Sequence, residues 1–412
     1  MPRTTPSGSA AFKFDLAAPP NWAFAPGDTI IGNLMRHMPI VTPEATISVS
    51  LTGRVKSKIV KSSGQQKHVY RDDWRLLRPQ QTLVFKGPLH LAQGSNEPLS
   101  WPFSVTIPTE QAESCRAGHK KNASFLPLDR DHPHLHILPG TFFSENMGFG
   151  PSAYCLVEYF LTAQLRYITG GDHKYLDAVL PITLRHAADP TDRRHMLRTQ
   201  HCVQKIQSQR LLPGMEFADL SFKQHAQKLF HSSKVPEFHY ELRFTLPEVI
   251  QLDDSAPIPV QLEVVPLLDR TSVCLKETAQ TIHVNWVQAI IKQRTSVLAP
   301  SNLWDSSHSA SYSESRNLNL QAAFTSLASP LDITTGKGNE PVRLGDMFQL
   351  VLRSGGLVSG NRFLNRAARI YPDLVTYSIR HSHEQRWRVS LTVAGETHVH
   401  EFNNPLKIIA EP

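Results

Sequence analysis

Five cations, Arg54, Lys56, Lys58, Lys61 and Lys67, carry the clearest chemical signal in the sequence. Arg54, Lys56 and Lys58 stand two apart, and side chains at i, i+2 and i+4 of a strand leave from the same face. Three charges therefore converge, and Lys61 and Lys67 add to them at the following turn. Such a cluster attracts phosphates, carboxylate-rich tails or an anionic leaflet, each cation near a membrane contributing about 1 kcal/mol. The same residues also read as a solvated strand face that guards an edge against pairing.

Histidine forms the second constellation. His132, His134 and His136 alternate, a spacing that would set three imidazoles on one face as metal ligands. Pro133 interrupts that strand, and no carboxylate or cysteine completes the set, so no metal site is assigned. His381 with His383, and His398 with His400, read as outward strand positions. No Gly-rich phosphate loop and no G-x-S-x-G elbow occurs in the sequence. No catalytic residue and no cofactor is expected, and the chain does not read as an enzyme.

The elements that would carry these residues are strands. Cys155, Val157, Tyr159, Leu161, Ala163, Leu165 and Tyr167 alternate with a set containing Glu158, Thr162, Gln164 and Arg166. A period of two marks a strand with one face on a core and one toward water. Over Ala153–Ile168 it would extend about 50 Å, a length that needs partners on both sides and a second layer above. Ile47, Val49, Leu51, Val55 and Ile59 repeat the pattern, as do Phe238, Tyr240, Leu242, Phe244 and Leu246. In Leu99–Pro108 the apolar set is Trp101, Phe103, Val105 and Ile107, with Pro102 confining that strand to an edge.

The chain's 412 residues exceed one ordinary core. Its 30 prolines and 21 glycines are scattered, as many short strands with tight turns require. The expected fold is all-β, an antiparallel β-sandwich architecture in two domains with at most one or two short helices. Residues 1–186 form the first sandwich, interrupted by an inserted loop at 110–136. Residues 187–235 are a basic linker whose Phe222, Ala226, Leu229 and Phe230 fall on one helical stripe. Phe222, Lys223, Lys228 and Phe230 would make that short helix either a membrane contact or a cover for a sheet. Residues 236–412 form the second sandwich, with a Ser-rich mobile loop at 301–340. Within that loop the Ser306–Ser315 run is either plain linker or a phosphoacceptor tract.

A formal charge of +7 favours acidic partners. Nucleic acid is not among them, because clustered basic and aromatic residues in a known module are missing. Four cysteines without C-x-x-C spacing suit a reducing compartment, and no apolar run reaches the 18 residues a membrane span needs.

Taken in order, Pro26-Gly27-Asp28, Leu51–Arg54, Trp101–Pro108, Leu138–Phe142, Val157–Tyr159 and Tyr371–Ile379 together resemble the fungal arrestin-like proteins. Pro26-Gly27-Asp28 entering a strand, and Leu51-Thr52-Gly53-Arg54 within one, resemble the start of an arrestin N-terminal domain. Trp101-Pro102-Phe103 through Ile107-Pro108 is similar to that fold's Phe-Pro-Phe-x-Phe-x-Ile-Pro signature. Leu138-Pro139-Gly140-Thr141-Phe142, Gly148-Phe149-Gly150 and Val157-Glu158-Tyr159 resemble the next region of the family, and Tyr371–Ile379 with Trp387–Val393 resemble its end. The resemblance implies two antiparallel, immunoglobulin-like β-sandwich (arrestin) domains joined by a short hinge, in a cytoplasmic adaptor peripheral at the plasma membrane or endosomes. Its partners would be the tails of membrane transporters or receptors, an anionic lipid surface, and a HECT-type ubiquitin ligase. That ligase reads Pro-Pro-x-Tyr, whereas the one Pro-Pro pair here continues as Asn21-Trp22. A coat-type trafficking subunit, like the arrestin-fold subunit of retromer, is the alternative.

Overall fold

A computed structural model describes residues 3–63, 66–78, 80–95, 97–113, 124–128, 133–146, 152–186, 196–216, 218–219, 235–300, 307–336, 340–365 and 369–410. The chain is all-β. Its first half runs β1 (Lys13–Leu16), β2 (Ala23–Phe24), β3 (Thr29–Arg36), β4 (Ile40–Ser63) and β5 (Gln66–Arg75). It continues through β6 (Gln81–Leu91), β7 (Leu99–Thr106), β8 (Phe142–Asn146), β9 (Ser152–Thr169) and β10 (Asp172–Leu184). The second half runs β11 (Leu197–Gln207), β12 (Glu237–Pro247), β13 (Val249–Gln251), β14 (Gln261–Pro266), β15 (Thr281–Pro300) and β16 (Ser307–Asn317). After a short helix α1 (Gln321–Phe324) come β17 (Leu331–Thr334), β18 (Val342–Arg343), helix α2 (Leu344–Phe348) and β19 (Leu350–Arg353). The chain ends with β20 (Gly356–Ser359), β21 (Arg362–Phe363), β22 (Leu374–Val375), β23 (Ile379–Val393) and β24 (Glu396–Ile409).

In the first half a three-stranded sheet, β1-β3-β7, faces a seven-stranded one with the path β2-β10-β9-β4-β5 and with β6 and β8 pairing onto it. Pro102 sits in β7, whose only strand partner among the described residues is β3, so its missing N–H falls on an edge. The second half repeats the plan, a four-stranded sheet β11-β12-β14-β18 against β13-β24-β23-β15-β16. Alternation drives both: Val55, Tyr159, Leu161 and Leu165 enter one core, and Tyr240, Leu242, Phe244 and Val389 the other. Cys155 packs into the first core as a buried, free thiol.

β4 and β9 pair antiparallel from Ala45↔Tyr167 to Val60↔Ser152. Gly53 lies within that ladder because any side chain there would meet the Tyr159 ring, only 2.6 Å from the place of a Cβ. The ring's hydroxyl in turn donates to the Pro139 carbonyl at 2.7 Å. At the entry to β3, Gly27 has φ of 93°, the left-handed region a turn needs.

The described parts of both expected loops are tied to the fold. In 110–136, Gln111 and Leu126 are buried, the Gln111 N–H donates to the His136 carbonyl at 2.8 Å, and the Phe125 N–H donates to the Tyr377 carbonyl at 2.9 Å. Within 301–340, read from sequence as a Ser-rich mobile loop, the described residues include a strand. Ser307–Asn317 is the strand β16, aligned with β15 from Ile290↔Asn317 to Pro300↔Ser307. Serine's low strand propensity is overridden by the long β15 template beside it. No helix among the described residues is long and apolar enough to cross a membrane.

Candidate functional site

The basic strand Arg54–Lys61 belongs to β4, but only part of it is a free cationic surface. Arg54 and Lys56 project outward beside Glu158 of β9. Arg54 Nε lies 2.8 Å and Lys56 Nζ 3.1 Å from Glu158 Oε1, and Lys56 is buried. The Thr4 N–H donates to Glu158 Oε2 at 2.8 Å, and Arg54 also faces Asp73 at 3.8 Å and the Phe160 ring at 5.0 Å. These two cations are therefore committed within the protein, a correction to the solvated cluster expected from spacing. Lys61 leaves the other face, with its Nζ 3.5 Å from His308 Nδ1. Lys67 is exposed on β5 opposite Ser62.

Cross-strand register supplies cations that the sequence reading missed. Lys58 pairs with Arg71 and Arg54 with Arg75, so Lys58, Arg71 and Arg75 share the outward face, and both arginines are exposed. Beside them lies a cleft of about 520 Å³ with Leu51, Leu77 and Phe160 as its apolar lining and Arg54, Arg75 and Asp73 around it. Its chemistry suits a chain segment carrying both a carboxylate and an apolar side chain. Phe222, Lys223, Lys228 and Phe230 lie outside the described residues.

The second feature is a buried polar belt where the two halves meet. One face of the β16-β15-β23-β24 sheet begins on the first core with Val297 and Ile379 and ends on the second with Ala289 and Trp387. Between these apolar rows the same face carries Thr295 and His381, then Gln293 and His383, then Gln385 and Asn404, all buried. Thr295 Oγ1 is 2.9 Å from His381 Nδ1, and His383 Nδ1 is 2.6 Å from Asp373 Oδ1. Tyr312 donates its hydroxyl to Ser144 at 2.8 Å, and Trp387 Nε1–H donates to Gln385 Oε1 at 2.9 Å. Nε2 of His381, His383 and Gln293 has no hydrogen-bond partner among the described residues. The paired histidines His381-x-His383 thus face inward, and His400 is buried too, contrary to the outward placement expected. Register with β15 for His381 and His383, and the facing sheet for His400, whose Nδ1 lies 3.3 Å from Cys202 Sγ of β11, decide this, and neither is visible in a single strand. His136 is buried as well, 2.7 Å from the Tyr377 hydroxyl. No group of three metal-ligating side chains occurs among the described residues.

Aromatic contacts lock the same boundary. Tyr377, fully buried, stacks on Trp74 of β5 with centroids 4.2 Å apart and planes 9° from parallel. Phe142 of β8 touches Tyr371 at 5.0 Å and His381 at 4.9 Å, and Ser57 donates its hydroxyl to the Leu298 carbonyl at 2.6 Å.

The belt also sets a pH response. Burial pushes His186 down to about 4, helped by the Arg369 charge. Burial, with His383, His186 and Arg316 nearby, holds His381 well below the usual imidazole range. Burial pushes the Asp72 carboxyl the other way, up to about 6. A depressed histidine stabilises the fold above its unfolded pKa, about 6.5, and loses that as pH falls toward the folded value. Asp72, raised, gives stability that is full below about 4 and is lost as pH rises through about 6. His308 and His400 are lowered by burial as well, so four losses face one gain and the midpoint of thermal unfolding should fall between pH 7 and pH 4.5. Asp72→Asn should raise stability at pH 7.5 by about 1–2 kcal/mol and make the acid-side fall steeper. A flat profile in scanning calorimetry would refute this account.

No family model matches the chain, and no curated protein matches it.

Proposed function

We propose that the chain is an arrestin-like adaptor: a two-lobed β protein that docks acidic protein segments on its outer sheet faces rather than transforming a small molecule. The observation that carries this reading is the outward face of the β2-β10-β9-β4-β5 sheet. There Arg71 and Arg75 stand exposed and Lys58 half-exposed beside a partly apolar cleft, while the neighbouring Arg54 and Lys56 are held rigid by Glu158. Rigid neighbours reduce the ordering cost of binding, and exposed cations with no carboxylate partner among the described residues steer anionic partners. Cytoplasmic tails of membrane transporters or receptors are the partner class, at the plasma membrane or endosomes. Recruitment of a HECT-type ubiquitin ligase would have to pass through another protein, since Asn21-Trp22 follows the single Pro-Pro pair.

That missing tyrosine favours the second reading, a coat-type subunit with fixed protein partners and no part in ubiquitination. Purification of the tagged full chain from its own cells separates the two. Membrane-protein tails and ligase components recovered substoichiometrically and lost at high salt support the adaptor, and a salt-stable stoichiometric complex supports the coat subunit. Lys58→Glu with Arg71→Glu and Arg75→Glu should weaken capture of acidic tails by about tenfold or more, leaving the unfolding midpoint unchanged. Undiminished capture by that triple variant would remove this face from the proposal.

A further inference from the structure

The outward face of the second large sheet carries an unassigned charge pattern that only register reveals. On β15 the outward positions include Lys292 and Arg294, and on β23 they include Arg380, Glu384, Arg386 and Arg388. β24 adds Glu401 and Lys407 on the same side. On these three strands six cations thus share the face with two carboxylates, and the further carboxylate of that face, Asp332 of β17, is taken by His283 at 2.6 Å. Glu384 takes Lys292 at 3.1 Å, and Glu401 lies 3.8 Å from Arg388. Arg294 and Arg386, both exposed, have no carboxylate partner among the described residues.

Along the margin, β16 turns Ser309, Ser311, Ser313 and Ser315 to this same side, every one exposed. Ser313 sits opposite Arg294 and Ser315 opposite Lys292. Alternate strand residues repeat at about 6.8 Å, the spacing of alternate side chains in any extended peptide. A cleft of about 480 Å³ opens beside this row, with Lys292, Ser315, Arg386, Asn403 and Glu384 among its walls.

We propose that this face is a second docking surface, taking an extended acidic polypeptide segment along β16 and β15, with one acidic side chain seated between Lys292 and Arg386. Charge complementarity selects the segment's acidity, and the matched repeat selects its extended form. Serine hydroxyls both donate and accept, so they can serve the segment's polar groups in either direction. An anionic bilayer fits less well, because this face offers little to insert. Among the described residues its exposed large apolar side chains are two separated valines, Val399 opposite Ser390 and Val375 opposite Arg380, while Ile290, Leu298 and Trp286 are half-buried. The surface lies on a different sheet from Arg71 and Arg75, so it stands or falls separately from the reading above.

The test is calorimetric titration of the full chain with a synthetic peptide of alternating Glu and Thr, alongside sedimentation with phosphatidylserine-containing vesicles. Two peptides per chain are expected for the wild type. Arg294→Glu with Arg386→Glu should remove one, and Arg71→Glu with Arg75→Glu the other. The milder pair Arg294→Gln and Arg386→Gln should weaken the same site by about tenfold and serves if charge reversal impairs folding. Retention of both sites in the Arg294/Arg386 variants overturns the proposal, as does wild-type protein that binds no peptide. Vesicle binding without peptide binding, lost in those variants, reassigns the face to membrane. Loss of one site only in the Arg294/Arg386 variants, with no change in the Arg71/Arg75 variant, keeps this surface and removes the other.

Discussion

Tyr377→Ala should cost about 3–5 kcal/mol of stability, the range for deleting a large buried aromatic. Tyr377 is fully buried, yet its contacts belong to the other half of the chain. Its ring stacks on Trp74, its hydroxyl meets His136 Nδ1 at 2.7 Å, and its carbonyl accepts from Phe125 N–H. The first core also holds Val297, Ala299, Leu374 and Ile379, so the ends of β15 and β23 help to close it. Removing the ring therefore opens a void at the boundary rather than inside one sandwich. Urea unfolding of the variant should resolve into two transitions further apart than in the wild type, as each half unfolds by itself. Tyr377→Phe keeps the stack and loses only the hydroxyl contact, so about 1–2 kcal/mol is expected. A loss below about 1 kcal/mol for the alanine variant would mean that the boundary contributes little cohesion.

The same boundary shows what a single sequence can reveal. Alternation in Cys155–Leu165 and in Phe238–Leu246 declares strands and their inner faces, because burial acts on each residue independently of its partner. The all-β fold was legible for that reason. Charge pairing is different: Glu158 stands 104 positions from Arg54, and no local pattern says that it will neutralise Arg54 and Lys56. Likewise His381 and His383 alternate with the polar residues Arg380, Ser382 and Glu384, so hydropathy leaves open which set turns inward. Register against Thr295 and Gln293 settles it. The serines of β16 look like linker until Lys292 and Arg294 are placed across the ladder from them. Of the candidate surface, then, Lys58 was readable from spacing, whereas Arg71, Arg75, Arg294 and Arg386 required knowing which strands lie side by side.

Glu158 is the residue whose loss should separate a structural ion cluster from a binding site. Burial alone would raise its carboxyl, but the Thr4 N–H, Arg54 and Lys56 outweigh burial and hold it below the usual carboxylate value. A depressed carboxyl stabilises the fold above its unfolded pKa and loses that contribution as pH falls through the folded one, so this cluster fails only in strong acid. Glu158→Ala leaves Lys56, whose side chain is only 8% exposed, as a charge without its counter-ion, and about 3–5 kcal/mol should be lost. Exchanging both partners, Lys56→Met with Glu158→Leu, removes the charge together with its need for a partner. That pair should fold within about 1 kcal/mol of wild type, because a buried ion pair is roughly balanced against apolar packing of similar volume. If Arg54 and Lys56 served as ligands for an acidic tail, the same double variant would bind such a tail far more weakly despite its preserved stability. If Lys58, Arg71 and Arg75, which have no carboxylate partner among the described residues, carry the binding, it should bind within about twofold of wild type. Chemical denaturation and peptide titration on this one protein therefore decide whether the most conspicuous basic run in the sequence is architecture or recognition.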